Sequence, residues 1–331
     1  MNTMRTGGRR TVLVAATALL VTLAALVSAC SAPAEDDSSS SSATYTPLTI
    51  DHEYGSTTID KRPERVVTLL TNWTDTLAAL DIPITAEFKE QGYAGPNNTF
   101  EWTPEHTSEV KVVPSIAALD ISELAAYKPD LILAGYLGDQ KNYDRLSAVA
   151  PTIPVMQKGA TTDTWEDVAS TTGKIFGKES EADDLIKQTD AKIATFKSDH
   201  PNAVGKTFTF AQFQPTGQIG AINSTRDSAA GLLAQLGFVL NPRLAAEHKG
   251  SATRSPISPE RVDLLDSDLL VAWSLGDDSV YQRVPGWDNL TAVSDDTVVY
   301  LTNDNAPAFG VPSAPSVDYV IGLLNPVAAR L

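Results

Sequence analysis

The chain has 331 residues, of which 42% are hydrophobic and 20% charged, enough for about two globular domains and unlike a disordered chain. It carries 25 basic and 41 acidic residues, a net charge of −16. This balance argues against a nucleic-acid-binding protein, because a phosphate backbone needs basic partners. The single cysteine, Cys30, excludes an intramolecular disulfide, a cysteine-rich zinc site and an iron–sulfur cluster.

The first thirty residues have the pattern of an export signal. Three arginines precede an apolar run over residues 11–29, and small residues stand directly before Cys30. The segment LVSAC resembles the lipobox of bacterial lipoproteins, which predicts a signal peptide over 1–29 and lipidation of Cys30. The alternative is an uncleaved membrane anchor, since the apolar run is nearly long enough to span a bilayer. On either interpretation the protein is exported and tethered.

Residues 30–45 are predicted to form a flexible tether behind the lipidated cysteine. The segment is rich in serine and acidic residues, so it has too little apolar surface to fold. Loss of the three arginines with the signal peptide would change the net charge to −19.

From residue 46 onwards, short apolar runs alternate with helical patterns, which favours an α/β architecture. Asn72 or Thr74 is expected to cap the first helix, which carries Leu77 and Leu80. The aromatic residues Phe88, Tyr93, Phe100 and Trp102 are expected in one loop region. The predicted strands are 65–70, 130–134, 207–211 and 268–272, and the predicted helices include 121–127 and 228–236.

Two segments of the chain resemble each other without gaps. KPDLILAGYLGD at 128–139 and DSDLLVAWSLGD at 266–277 are identical at six of twelve positions. Each follows a predicted helix and lies in its own half of the chain. We interpret the similarity as two similarly built lobes; the alternative is chance convergence of two buried strands.

Residues 178–199 are predicted to form one helix between the two halves, because apolar residues recur there at spacings of three and four. His200-Pro201 ends it, since proline disfavours helix in the preceding residue. Such a helix is about 33 Å long and would permit little opening and closing. The predicted organisation is an N-terminal lobe over 46–177, a linking helix over 178–200 and a C-terminal lobe over 201–331.

The sequence holds no motif of an enzyme that we could identify. The metalloprotease, nucleophile-elbow and dinucleotide-binding patterns are absent, and the four histidines are scattered through predicted loops and element ends. We therefore predict no catalytic residue, no metal site, no cofactor and no enzymatic activity.

Aromatic and polar residues concentrate just beyond the predicted strand ends, where α/β sheets bind ligands. Trp73 follows the first strand, Tyr136 the strand over 130–134, and Trp273 the matching strand of the second half. Arg226 and Tyr281 lie in later loops. Aromatic faces with a few cations suit a bulky, partly apolar ligand that can carry negative charge. Core packing is the alternative role for each aromatic residue, and a surface salt bridge for Arg226.

Several segments resemble the iron-siderophore substrate-binding lipoproteins of ABC importers, over nearly all of the chain after the tether. The resemblance implies two Rossmann-like lobes joined by one long α-helix, with the ligand cleft between the lobes. The same fold group contains cobalamin and haem receptors. The segments are RPERVVTL (62–69), ELAAYKPDLILAGY (123–136), LSAVAPTIPV (146–155), GLLAQLGF (231–238), ISPERVDLLDSDLLVAW (257–273) and PGWDNLTAV (285–293).

The resemblance implies a monomeric receptor on the outer face of the cytoplasmic membrane that docks on an importer permease. In this family each lobe offers an acidic residue to the permease. Glu260 matches that position in the second lobe, whereas Ser122 occupies it in the first, so Glu123 is the nearest candidate there. The internal repeat supports this register, because the same offset relates Ser122 to Glu260.

The resemblance also implies which residues hold the ligand and what the ligand is. By position, Trp73, Arg226 and Trp273 are the best candidates for ligand contacts, followed by Tyr136 and Tyr281. Ferric catecholates carry several negative charges, and few cleft cations are available for them, which favours a ferric hydroxamate or mixed siderophore. Cobalamin, haem, or a tethered interaction or signalling role without transport are the alternatives. The candidate cations are Arg226, Arg254 and Arg283.

Overall fold

The structure is a computed structural model that describes residues 45–331 except residues 251 and 277–278. The predicted signal peptide, Cys30 and the tether up to residue 44 lie outside the described residues. Within the described part of the chain, no helix is long and apolar enough to cross a membrane.

The described chain forms strands and helices that mostly alternate. The strands are β1 (Leu48–His52), β2 (Gly55–Ile59), β3 (Val66–Thr68), β4 (Ala86–Glu90), β5 (Glu109–Val113), β6 (Leu131–Gly135), β7 (Thr152–Pro154), β8 (Thr207–Phe213), β9 (Ile219–Ile222), β10 (Val239–Leu240), β11 (Arg254–Ile257), β12 (Leu269–Ser274) and β13 (Val298–Leu301). The α-helices are α1 (Thr71–Ala79), α2 (Ile121–Ala125), α3 (Gln140–Ser147), α4 (Trp165–Phe176), α5 (Glu179–Asp199), α6 (Ser228–Gln235), α7 (Pro242–Ala245), α8 (Ser279–Gln282), α9 (Thr291–Ser294), α10 (Pro307–Gly310) and α11 (Ala314–Ala328).

The first sheet has the order β5-β4-β3-β6-β7, and its neighbouring strands are all parallel. Its central strands are mostly apolar, VVT in β3 and LILAG in β6, and every residue of both is buried. Such runs are typical of parallel strands covered on both faces. Helices α1 and α4 pack on one face, and α2 and α3 on the other.

The second sheet has the order β11-β9-β8-β12-β13, with β10 beside the start of β8. Strands β8, β12 and β13 are parallel to one another, whereas β9 pairs antiparallel with both of its neighbours, β8 and β11. The core on one face includes α6 and α11, and the core on the other includes Leu244 of α7 and Trp287. The α/β fold class predicted from the sequence is confirmed.

The internal sequence repeat corresponds to a structural one. Asp130 precedes β6, and its Oδ1 accepts a hydrogen bond at 2.8 Å from the backbone N–H of Arg65, just before β3. Asp268 precedes β12, and its Oδ2 accepts one at 2.8 Å from the backbone N–H of Thr207, at the start of β8. Each aspartate therefore joins the beginnings of two neighbouring central strands in its own lobe.

Helix α5 lies in the chain between the two sheets, as the spacing of its apolar residues predicts. Ala182 near its start packs in the first lobe's core, whereas Ile193 and Phe196 near its end pack in the second lobe's core. The helix packs along α4 and α11. Gly173 of α4 permits the close approach, because a Cβ added there would come within 2.7 Å of the Cβ of Ala182.

The expected cap of the first helix and the expected loop position of Phe88 are both wrong. Helix α1 begins at Thr71 without a side-chain cap, so Asn72 and Thr74 lie inside it. Phe88 lies in β4 and is buried, because the strand AEFKE has the sheet on both sides and an apolar core beneath.

The segment around Trp102 also departs from the expectation of a first-lobe loop. Phe100 and Trp102 belong to the second lobe's core, with their rings stacked 4.6 Å apart. The Trp102 ring also lies 4.9 Å from that of Tyr319 in α11. The first half of the chain thus contributes side chains to the core of the second lobe.

Candidate functional site

A cleft of about 560 Å³ lies between the two lobes at the carboxyl ends of β3, β4, β6 and β12. It continues into two smaller chambers, of about 270 Å³ and 330 Å³, with which it shares lining residues. The residues that line the central cleft include Glu87, Lys89, Glu90, Tyr93, Tyr136, Asp227, Arg254 and Trp273. This is where α/β sheets bind ligands, because loops diverge from the strand ends there.

In the first lobe, the end of β6 delivers an aromatic ring to the cleft. Gly135 has φ +67°, a conformation that favours glycine, and a Cβ there would lie 2.4 Å from Cδ2 of Leu70. Glycine therefore allows β6 to end against Leu70. The next residue, Tyr136, is 54% exposed and lines the cleft.

In the second lobe, the end of β12 presents Trp273. Its indole Nε1 donates a hydrogen bond to Oδ1 of Asn303 at 3.0 Å, which fixes the orientation of the ring. Tyr93 of the first lobe meets it edge-to-face, with ring centroids 6.2 Å apart and planes at 78°. Burial raises the pKa of Tyr93, so its phenol remains a neutral hydrogen-bond donor at neutral pH.

Two cations line the central cleft, and each contacts a buried carboxylate. Nζ of Lys89 lies 3.1 Å from Oε2 of Glu87 and donates to the carbonyl of Asn98 at 2.7 Å. Nε of Arg254 donates to Oδ2 of Asp227 at 2.9 Å. The Glu87 and Asp227 side chains are only 1% and 4% exposed.

Both carboxylates also have hydrogen-bond partners other than the two cations. Oε1 of Glu87 accepts a hydrogen bond from Ser108 and lies 2.7 Å from Nε2 of His106. Burial acts to raise the pKa of Glu87, but Lys89, Ser108 and His106 outweigh it and hold the pKa below its ordinary value. Asp227 caps α6, since its Oδ1 accepts from the backbone N–H of Ala229 at 3.2 Å.

The structure brings Tyr136 and Trp273 of the predicted ligand residues into the central cleft. Arg226 lines the adjoining chamber of about 270 Å³, with its guanidinium 3.4 Å from Nε2 of His248.

The prediction that Trp73 and Tyr281 contact the ligand is wrong, because both side chains are buried in hydrophobic cores. Trp73 is 0% exposed and packs in the first lobe's core, since α1 turns this side chain towards the sheet. Tyr281 is 3% exposed, stacks on Trp287 at 4.9 Å and donates its hydroxyl to the carbonyl of Ala272.

Both candidate docking residues are exposed and lie shortly before corresponding strands of the two lobes. Glu123 is in the first turn of α2, which precedes β6, and lies 3.9 Å from Lys111. Glu260 is in the 3-10 helix over 259–265, which precedes β12, and accepts a hydrogen bond from Ser258. Docking at either position remains a prediction.

Sequence reasoning missed Glu87, Lys89 and Asp227, and it named Tyr93 only as one of an aromatic group. The segment AEFKE carried a usable signal, because Glu87 and Lys89 are two residues apart and fall on the same face of a strand. Asp227 and Arg254 are distant in sequence, so no local pattern could pair them. Among the described residues, no group of three metal-ligating side chains comes together.

Comparison with known proteins decides the family. The pattern of the periplasmic binding protein family matches residues 66–305, well over half of the chain. The chain belongs to this family. The resemblance stated from the sequence is thereby confirmed.

Named relatives of this periplasmic binding protein carry iron-related descriptions. The Fe(3+) dicitrate-binding periplasmic protein FecB of Escherichia coli is 26% identical over 251 residues, 74% of this chain and 78% of FecB. The probable siderophore-binding lipoprotein YfiY of Bacillus subtilis is 26% identical over 259 residues, 74% of this chain and 77% of YfiY. The crystal structure of Streptococcus pneumoniae PiaA in complex with ferrichrome matches with a TM-score of 0.70 and 26% identity, covering 86% of this chain and 99% of PiaA.

Proposed function

We propose that this protein is an extracytoplasmic receptor that binds a ferric siderophore, of hydroxamate or mixed type, and delivers it to an ABC importer. The observation that carries the proposal is the cleft between the lobes, with Tyr93 and Tyr136 on one side and Trp273 on the other. Its volume of about 560 Å³ suits a compact organic chelate, since small-molecule sites measure about 300–1,000 Å³. The ligands named for FecB, YfiY and PiaA support an iron complex.

Binding in this proposal is capture without chemical change. The siderophore itself saturates the coordination of iron, so the protein supplies no metal ligand. The aromatic rings pack against the organic shell of the complex. The phenols of Tyr93 and Tyr136 and the guanidinium of Arg254 can donate hydrogen bonds to the chelating oxygens.

Delivery requires that the loaded receptor dock on a permease while anchored at the membrane. We propose Glu123 and Glu260 as the docking residues and Cys30 as the lipidated anchor. Their placement supports this, because both glutamates are exposed and precede equivalent strands of the two lobes.

Ligand titration of the purified protein tests the binding step. Tryptophan fluorescence should be quenched saturably by a ferric hydroxamate and not by the iron-free siderophore, because Trp273 lies in the cleft. Calorimetry must confirm each hit, since these chelates absorb light. Tighter binding of haem or cobalamin would contradict the siderophore assignment, and absence of binding to any of them would contradict the receptor.

Iron uptake tests the delivery step. The variant Glu260→Ala should bind the ferric siderophore as the wild type does, yet support much less uptake in cells that depend on this receptor. Asp288→Ala, another exposed acidic residue of the second lobe, is the matched control. Unchanged uptake with Glu260→Ala would contradict docking at this residue.

A further inference from the structure

Among the residues that the structure describes, the lining of the central cleft includes cations but has no excess of positive charge. Its lining includes two cations, Lys89 and Arg254, against three carboxylates, Glu87, Glu90 and Asp227. Each cation is paired with a carboxylate in its own lobe. Both walls of the cleft therefore repeat one arrangement, a cation at the cleft with a buried carboxylate beside it.

The Lys89 pair is fixed on both sides. Lys89 is 8% exposed and also donates to the carbonyl of Asn98, so the ammonium cannot swing freely towards a ligand. Glu87 is held by Ser108 and His106. Buried charges interact more strongly than exposed ones, so an anionic ligand would compete poorly with Glu87 for this ammonium.

The Arg254 pair is fixed in a similar way. Asp227 is committed to the N-terminus of α6 and also accepts a hydrogen bond from Thr253 at 3.3 Å. The guanidinium of Arg254 lies over the ring of Phe210, 5.8 Å from its centroid. The N–H groups of Arg254 other than Nε–H can donate hydrogen bonds to an uncharged oxygen of a ligand, while Asp227 continues to balance the charge of the guanidinium.

Other charged groups around the cleft do not reverse this balance. Asp75 is a further buried carboxylate near Lys89, and Glu90 lines the cleft itself. The adjoining chamber that contains Arg226 also contains Lys158 and the carboxylate of Glu166.

We propose that Glu87 and Asp227 are specificity-determining residues, which neutralise Lys89 and Arg254 so that the cleft accepts ferric complexes without net negative charge and discriminates against anionic ones. The inference rests on the proposed receptor function and deepens it. The substrate class becomes a neutral or cationic ferric hydroxamate, and ferric citrate and ferric triscatecholates are excluded. Glu87 and Asp227 act through the cations, as positioning residues.

A ligand series in which only charge changes tests the wild-type protein. Ferrioxamine B is cationic, its N-acetyl derivative neutral and its N-succinyl derivative anionic, on the same iron chelate. Ferrichrome, ferric citrate and a ferric triscatecholate complete the set. We expect the tightest binder to be neutral or cationic, and the N-succinyl form to bind about tenfold more weakly than the N-acetyl form, because like charges oppose its entry.

Two variants test the residues themselves. Glu87→Gln and Asp227→Asn keep the shape of each side chain and remove its charge. Each should raise the ratio of anionic to neutral affinity about tenfold and make the anionic affinity sensitive to salt. The control is Glu105→Gln, which removes an exposed charge from the outer groove beside His106.

The outcomes separate this inference from the receptor function. If an anionic complex binds wild type as tightly as the best neutral or cationic one, the inference is overturned and the receptor stands. If Glu105→Gln raises anionic affinity as much as Glu87→Gln, net charge explains the effect and the inference is overturned. If no ferric complex binds, the receptor function fails and the inference fails with it. Glu87 and Asp227 are tested independently, so one variant still decides the role of its residue if the other does not fold, and the wild-type series tests the charge preference in either case.

Discussion

Asp163 shows how one buried carboxylate supports a wall of the cleft. Its side chain is 2% exposed, and Oδ1 accepts hydrogen bonds from the backbone N–H groups of Met156 and Gln157 at 2.8 and 3.0 Å. These bonds close the loop over 156–163. Residues of this loop line the central cleft and both adjoining chambers. Burial raises the pKa of Asp163 to about 6, with the nearby charge of Asp167 adding to the effect.

The pKa of Asp163 predicts a pH effect on stability. Because the folded pKa lies above the ordinary value of 3.8, the folded state binds the proton more tightly, and stability falls as pH rises from about 4 to about 6. At pH 7 the ionised group costs about 3 kcal/mol. Asp163→Asn keeps the acceptor oxygen, so it should raise the free energy of unfolding at pH 7 by about 1–3 kcal/mol.

Urea denaturation of Asp163→Asn and wild type at pH 4.5 and pH 7 checks this prediction. The difference between the two proteins should be larger at the higher pH, as wild type then carries the buried charge. An equal difference at both pH values would contradict the raised pKa.

The structure predicts opposite effects on ligand affinity for substitutions of the two tryptophans that the sequence predicts as ligand residues. Trp273 lines the cleft, so Trp273→Ala should weaken binding of the ferric siderophore about tenfold or more, in line with loss of an aromatic anchor. Trp73 lies in the core, and its buried Nε1 has no hydrogen-bond partner. Trp73→Phe should therefore leave affinity within about twofold. Calorimetric titration of both variants checks this, and similar losses in both would contradict the placement of Trp73.

At the scale of helices and strands, most elements could be predicted because hydrophobic periodicity is a local property. The apolar stripe of α5 and the mostly apolar runs VVT and LILAG are sufficient to predict the helix α5 and the strands β3 and β6. The errors arose where tertiary contacts decide. Trp73 and Trp273 both follow apolar strands in the sequence, and only the packing of α1 separates a core residue from a cleft residue.

The contact between α4 and α5 gives a matched pair of glycine predictions. Gly173→Ala places a methyl group 2.7 Å from the Cβ of Ala182, so the helices must separate and stability should fall by about 1–3 kcal/mol. Gly322→Ala in α11 meets nothing within 4 Å and should raise stability by about 0.5–1 kcal/mol, because alanine favours helix. Thermal denaturation of both variants checks the signs; a stabilised Gly173→Ala would contradict the close approach.

At the scale of the whole molecule, Asp75 joins the two lobes. This carboxylate in α1 is fully buried, and it accepts hydrogen bonds from Trp102, Thr103 and Ser313 at 2.9, 2.6 and 2.8 Å. Burial raises its pKa, and the three hydrogen bonds oppose that rise. Ser313 also caps α11, so one side chain holds the second lobe's last helix to the first lobe.

This arrangement predicts cooperative unfolding of both lobes. Scanning calorimetry should show one transition whose calorimetric and van't Hoff enthalpies agree. Ser313→Ala removes a donor to a buried carboxylate and a helix cap, and should cost about 2–4 kcal/mol while keeping one transition. Ser294→Ala, on an exposed helix end, is the control. Two separate transitions in wild type would contradict the shared core.

The contact between Asp75 and Ser313 also constrains when, during synthesis of the chain, the first lobe can complete its fold. Asp75 emerges early from the ribosome, but Ser313 emerges only near the end of the chain. Until then one of the three donors to this buried carboxylate is missing, and Phe100 and Trp102 lack the core into which they pack. The first lobe therefore cannot complete its fold while the chain is still being released. The two lobes are therefore expected to reach their final packing together, after nearly all of the chain has been synthesised.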